Sequence, residues 1–404
     1  MIEHYVGEQE ARVLRASPLG AHLDAFAAEL VKAGYKRFTG QIRLRVLKDL
    51  GGWLDARGHA IADLDESLVE AYLKERRRKC RHGSRRGVRA FLELLRRRDV
   101  VPPAVVAESS SVDQLRLRYE TYLQRERGIV SATIDGYRPF VRRFLEEHPH
   151  ASLHALGPAE VSRFVLRCAK EMSRARAKLL GTALRSLFRF LFREQVTRQD
   201  LTPAVLSVAN WRYSSVPRHL DASQVERVVA AVSAESRDHA IVLLLARLGL
   251  RALEIVMLEL SDIDWRASEI TVPGKGSVRD RLPLPSDVGQ ALATYLRDGR
   301  PRSSCRRVFL CSRAPYGAFS GSSVVSTVVA RALRRAGIDD PPSHGAHLLR
   351  HSLATTLLAV GASMSEIGEV LRHRSPTTTE IYAKVDLTGL RTLAQPWPVR
   401  GDAR

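Results

Sequence analysis

At 404 residues the chain exceeds what a single hydrophobic core usually serves, so two or three domains are expected. Its 64 Lys and Arg against 44 Asp and Glu give a formal charge of +20, spread along the chain, which calls for a polyanionic partner, nucleic acid ahead of anionic lipid. No run of about 18 apolar residues occurs and the opening MIEHYVGEQEARVLR is too charged for a secretion signal, so a membrane span is excluded and a cytoplasmic location is expected.

The front half reads as helices, with apolar residues three and four apart and no alternating runs. It also repeats itself. From about Leu23 to Val101, Phe26, Leu30, Gly34, Trp53-Leu54, Leu64, Val69 and Tyr72 answer to Tyr119, Leu123, Gly128, Phe144-Leu145, Leu156, Val161 and Phe164 of the stretch from about Leu115 to Thr197. Each copy closes on a matching helix, Arg89, Phe91, Leu92 and Leu95 pairing with Arg185, Leu187, Phe188 and Leu191. Pro102-Pro103 stops the first copy and residues 108–112 are a polar linker. Two small all-helical domains are therefore predicted, over 1–105 and 112–206, the first a diverged copy of the second. The first copy carries a basic run from Arg76 to Arg86, with Arg76, Arg77, Arg78 and Lys79; Lys170, Arg174, Arg176 and Lys178 stand at the corresponding place in the second. Such runs are ordinarily solvated faces, but the recurrence suits contact with DNA phosphates, which positions a duplex without reading its sequence.

After a second linker, residues 210–217, the texture changes, and a third domain is predicted over 218–404. Asp221 or Ser223 is the expected N-cap of its first helix, and HAIVLLLARLGL, residues 239–250, is apolar enough to be buried all round. Glu269–Val272 and Arg281–Leu284 read as short strands joined by the Gly-rich turn 273–277. This portion is mainly α with a small antiparallel sheet. Cys80, Cys168, Cys305 and Cys311 show neither a CxxC pair nor a histidine at zinc spacing, so reduced thiols are expected and no metal.

Three segments carry chemistry: Gly249-Leu-Arg251-Ala-Leu-Glu254, then His347-Leu-Leu-Arg350-His351, then Leu371-Arg-His373-Arg-Ser-Pro-Thr-Thr-Thr-Glu-Ile-Tyr382. In order and in the nine-residue step from His373 to Tyr382, they resemble the tyrosine recombinase, or phage integrase, family over about 218–390, and loosely over the helical domain before it. The resemblance implies two SAM-like helical DNA-binding domains followed by a mixed α+β catalytic domain. It implies a site-specific recombinase acting on double-stranded DNA through a 3′-phosphotyrosyl intermediate, as a tetramer of this chain or with related recombinases, in the service of a mobile element. Carried over by position, Arg251, Lys275, His347, Arg350, His373 and Tyr382 are the catalytic residues.

The residue types suit that role. A phosphodiester gains charge on its non-bridging oxygens as a nucleophile adds, and guanidiniums stay protonated and bond phosphate in pairs. His347 and Arg350 share a helix face at i and i+3. A phenol with an ordinary pKa near 10 needs a base or a positive field; His347 resembles the family's base, His373 its hydrogen-bond donor, and Lys275 its acid for the departing 5′-oxygen. The scheme requires no cofactor. Departures from the family pattern displace the second basic residues of the hairpin, so Arg279 and Arg281 are expected to share DNA contacts. Arg372, where the family has Gly, stands near enough to the site for the phosphate backbone. Glu254 is expected to bond backbone near Arg251, and His351 to pack or to support a catalytic neighbour rather than act as a seventh catalyst. Ser363-Met-Ser-Glu366 is a capping box, and Ser375-Pro376 a helix start. A DNA-binding accessory without cleavage and a topoisomerase IB-like relaxing enzyme share parts of this pattern.

Overall fold

The computed structural model describes residues 1–76, 82–103, 110–207, 216–273 and 279–394. By contact the backbone divides into two units, residues 104–215 and the combination of 1–103 with 216–404.

Residues 1–103 form α1 (Glu8–Arg15), α2 (Gly20–Lys32), α3 (Arg37–Asp55), α4 (Glu66–Glu75) and α5 (His82–Arg96). One apolar stripe per helix meets in a core that includes Phe26, Leu47, Trp53, Tyr72 and Phe91. Residues 111–207 form α6 (Ser111–Arg125), α7 (Ser131–Glu147), α8 (His150–Leu153), α9 (Pro158–Lys170) and α10 (Arg174–Arg193) around Tyr119, Phe144, Phe164 and Phe188. The same local events recur in both stretches. Gly34 and Gly128 both turn the chain at positive φ, 77° and 60°. Beyond the last helix Asp99 and Gln195 do so again at 55° and 57°, a conformation that non-glycine residues adopt at a cost. Trp53 meets Tyr72 edge-on at 5.7 Å, and Phe144 meets Phe164 edge-on at 5.1 Å.

From residue 216 the chain builds α11 (Ala222–Ala230), α12 (Ser236–Leu248), α13 (Ala252–Met257), β1 (Ile263–Asp264), β2 (Glu269–Pro273), β3 (Arg279–Pro283), α14 (Ser286–Thr294), α15 (Ser323–Arg335), α16 (His347–Ala359), α17 (Met364–Val370), α18 (Pro376–Thr379) and α19 (Leu387–Leu393). Asp221 caps α11, accepting from Gln224 N at 2.8 Å while Gln224 accepts back. α12 is buried from Ala240 to Ala246, with each aliphatic side chain contributing roughly 1.5–3 kcal/mol, and forms the axis on which α11, α14, α15 and α16 pack. The sheet is antiparallel in the order β1-β2-β3, Ile270 facing Leu282 and Pro273 facing Arg279. β1, only two residues long, is too short to leave an alternating signature, and β3 begins two residues earlier than its apolar pattern suggests. The hairpin tip, with Lys275, lies outside the described residues, as do Arg77, Arg78 and Lys79. No helix among the described residues is long and apolar enough to cross a membrane.

Candidate active site

The three sequence boxes meet around one guanidinium. α12 ends in a left-handed residue, Gly249 at φ 56°, and a Cβ there would stand 2.8 Å from the Leu371 side chain and 3.1 Å from that of Leu353. Only glycine suits both the backbone and the close approach. The turn frees the Gly249 carbonyl, which accepts a hydrogen bond from Arg350 Nη1, while Arg350 Nη2 donates to the Leu371 carbonyl. Arg350, from the second box, is thus pinned between carbonyls of the first and third. It is 4% exposed, and burial with Arg251 and Arg372 nearby lowers its pKa to about 10, leaving it charged at neutral pH.

Arg251 follows Gly249 by two residues as the N-cap of α13. Glu254 accepts from its backbone N at 2.8 Å and from its Nη1 at 2.6 Å, and Arg251 Nη2 donates to the Arg372 carbonyl at 3.1 Å. The Arg251 side chain remains 39% exposed, so it faces outward where Arg350 does not. Glu254 bonds backbone as its position in the first box suggests, and it does more: its Oε2 also accepts from Arg372 Nη2 at 2.9 Å.

Arg372 corrects the sequence reading. Its side chain is 6% exposed and bonds Glu254 and the Leu248 and Val370 carbonyls, so it does not project toward a phosphate backbone. The cause lies in the helix end. α17 closes in a Schellman motif, with Arg372 N donating to Glu369 O at 2.9 Å and His373 N to Gly368 O at 2.8 Å. Arg372 takes the left-handed position at φ 54°. That motif sets His373 immediately beyond the helix, where its Nδ1 lies 2.9 Å from Thr379 Oγ1, leaving Nε2 for another partner. Burial, then Arg350 and Arg251, lower the His373 pKa to about 4. Ser363 and Glu366 cap α17 reciprocally, Glu366 N donating to Ser363 Oγ at 3.3 Å and Ser363 N to Glu366 Oε2 at 2.7 Å. Ser375 and Pro376 start α18 as predicted, although Ser375 Oγ bonds Thr377 Oγ1 at 2.7 Å instead of capping.

Tyr382 sits in the 3-10 turn Glu380–Val385, 1% exposed, in a small apolar cluster with Ala354, Ile367 and Leu371. Burial raises its pKa to about 12, and Arg350 opposes the rise. Its hydroxyl lies 2.8 Å from His351 Nδ1, the rings meeting edge-on at 5.7 Å. His351 thus supports the phenol, within the packing or supporting role expected of it; the i+4 step from His347 placed it on the same helix flank but gave no signal of which group it would meet. His347 opens α16, 6.4 Å from His351 ring to ring, its residue surface open to solvent but its ring partly desolvated by its neighbours, which with Arg350 and Arg251 lowers its pKa.

The expected DNA contacts divide by partner. Arg174, Arg176 and Lys178, at the start of α10, are exposed, with Ser173 capping the helix at 3.4 Å from Arg176 N. No ion pair engages these three cations among the described residues. Arg281 is 78% exposed and 3.9 Å from Glu269. By contrast Arg76 pairs with Asp49 at 3.3 Å, and Arg279 with Asp262, so each already answers a carboxylate.

Arginines fixed by neighbouring carbonyls and a carboxylate, a histidine whose Nε2 has no partner among the described residues and a phenol within the same positive field make a site chemically suited to phosphoryl transfer. The comparisons agree. The phage integrase family model matches residues 218–388, and the SAM-like N-terminal domain model of phage integrases matches 117–195. A putative integrase/recombinase, y4rA of Sinorhizobium fredii, is 41% identical over 391 residues, 94% of this chain and 95% of that protein. Tyrosine recombinase XerD of Mycobacterium tuberculosis is 32% identical over 300 residues, 68% of this chain and 93% of that one. Among solved structures, a lambda integrase dimer bound to a core site superposes with TM-score 0.53 at 21% identity, covering 72% of this chain and 99% of that one. The chain belongs to the phage integrase family of tyrosine recombinases.

Proposed function

We propose that the chain is a site-specific recombinase that cuts and rejoins double-stranded DNA, Tyr382 Oη attacking phosphorus to form a 3′-phosphotyrosyl bond. Arg251 and Arg350 clamp the non-bridging oxygens, His373 Nε2 donates to one of them, and Lys275 protonates the 5′-oxygen as the P–O5′ bond breaks. His347, at the exposed start of α16, takes the phenol's proton as the family's base does. The bond energy stays in the phosphotyrosyl ester, so a 5′-hydroxyl from another strand reverses the step. What supports the reading above all is the convergence on Arg350 of backbone carbonyls from both other boxes, with Tyr382 in its field.

Solved structures that share the fold include a lambda integrase tetramer bound to a Holliday junction, and we infer the same kind of tetrameric assembly on two duplexes for this chain. The module at 112–206 then holds the duplex through Arg174, Arg176 and Lys178, aided by Arg281. The module at 1–105, a diverged copy by its matching turns and aromatic pairs, lengthens the footprint. The test is a nicked duplex carrying the cognate site. Wild type forms a denaturant-resistant adduct and Tyr382→Phe forms none; an undiminished adduct in the variant refutes the assignment.

A further inference from the structure

We propose that Arg372 is a positioning residue for the phosphate clamp: its guanidinium answers Glu254, so that Arg251 is held in place by that carboxylate without being neutralised by it. The inference rests on the reading of Arg251 as half of the clamp, and it concerns a position where the family pattern has Gly.

The contacts form a closed ring. Arg372 Nη2 donates to Glu254 Oε2 at 2.9 Å, Glu254 Oε1 accepts from Arg251 Nη1 at 2.6 Å, and Arg251 Nη2 donates to the Arg372 carbonyl at 3.1 Å. Arg251 is therefore gripped by one residue twice, through its side chain by way of Glu254 and directly through its backbone. The backbone half belongs to the turn that also delivers His373, whose N donates to Gly368 O at 2.8 Å, so the ring ties the start of α13 to the end of α17 and Arg251 to His373. The side-chain half needs arginine. Its Nη1 donates to the Leu248 and Val370 carbonyls at 3.3 and 3.2 Å, which leaves Nη2 for the carboxylate.

Charge explains why a second guanidinium is there. The Arg372 and Glu254 side chains are each 6% exposed, whereas that of Arg251 is 39% exposed. A carboxylate facing Arg251 alone, where water screens poorly, would cancel much of the charge that a phosphate clamp uses. With two guanidiniums on one carboxylate the group has one positive charge in excess, and the excess falls to the member open to solvent, Arg251. The charge of Arg372 is felt further into the site as well: the Arg350 pKa is lowered first by burial, then by Arg251 and then by Arg372.

A residue that merely fastens α17 to α13 would make the same contacts, so the test must isolate charge. Arg372→Gln keeps a hydrogen-bond donor for Glu254 without the charge, and Arg372→Lys keeps both. All three side chains sit on the same left-handed turn, so its cost is common to them. The assay is adduct formation on two cognate duplexes, one with an ordinary scissile phosphate and one with a methylphosphonate in its place, which lacks one charged non-bridging oxygen and asks less of a cation. The readout is the ratio of the two rates within one preparation, which loss of folded protein does not move. Arg372→Gln should be about tenfold slower than wild type on the phosphate and within about twofold of it on the methylphosphonate, while Arg372→Lys stays within about threefold on both. An Arg372→Gln ratio equal to that of wild type overturns the proposal and leaves Arg372 a fastener, as does an Arg372→Lys ratio lowered as far as that of Arg372→Gln. A ratio that Arg251→Ala does not lower refutes the clamp reading beneath the proposal instead.

Discussion

Replacing Arg372 by Gly and by Ala separates what its side chain does from what its backbone does. Both variants lose the hydrogen-bonded ion pair to Glu254, in which each group is 6% exposed. Removing one member of a fully buried pair costs roughly 3–5 kcal/mol, but Glu254 keeps Arg251 Nη1 at 2.6 Å and Arg251 N at 2.8 Å, so the loss here should be nearer ~2 kcal/mol. Deleting the buried Arg372 Nε, which has no partner, returns part of that. The backbone then decides the order. At φ 54° an L-residue costs about 1–2 kcal/mol that glycine avoids, against roughly 0.5–1 kcal/mol for glycine's greater freedom when unfolded. Arg372→Gly should therefore be more stable than Arg372→Ala by ~0.5–1 kcal/mol, the reverse of the order inside a helix. Urea unfolding of the full chain, comparing midpoints at constant slope, measures the difference. Equal midpoints, or alanine the more stable, would refute the argument that the Schellman turn governs this position.

Gly249→Ala should destabilise by about 2 kcal/mol or more and cut adduct formation, since its Cβ meets Leu371 at 2.8 Å on a left-handed backbone that anchors Arg350; thermal unfolding and adduct yield check both. Thr379→Val removes the hydroxyl 2.9 Å from His373 Nδ1 and should slow cleavage about tenfold while the melting temperature moves little, measured on the nicked duplex. His351 and His373 both have folded pKa values near 4 against an ordinary 6.5, so the unfolded chain binds more protons between these limits. Stability is full above about pH 6.5 and falls as pH drops toward 4; a double His351→Asn, His373→Asn variant should flatten that part of the curve in pH-dependent melting.

The three boxes were legible because each is also a local structural device. Gly249 had to be glycine for its turn and Glu254 had to answer the N-terminus of α13, so residue type and spacing carried the geometry with them. What the sequence hid is what depends on tertiary approach. His351 reads as one more residue on an amphipathic helix, and only the packing of the Tyr382 turn against α16 makes it a partner of the phenol. Arg372 reads as a stray cation, because charge alone does not disclose whether a side chain folds inward to a carboxylate. Arg279 and Arg76 mislead in the same way: basic residues near a polyanion site look free until Asp262 and Asp49 are found beside them.

These contacts also order the site by rigidity. Arg350 is fixed through backbone carbonyls of two other segments, and Arg251 through a carboxylate that α13 holds in place, so the clamp proposed for the phosphate is rigid in the free protein. Tyr382 instead hangs on a short 3-10 turn, kept from water by a small cluster and held, among the described residues, by a side-chain hydrogen bond to His351. On the proposed reading, a clamp built in advance meets a nucleophile kept out of solvent, and the part that must shift to meet phosphorus is the part least firmly tied.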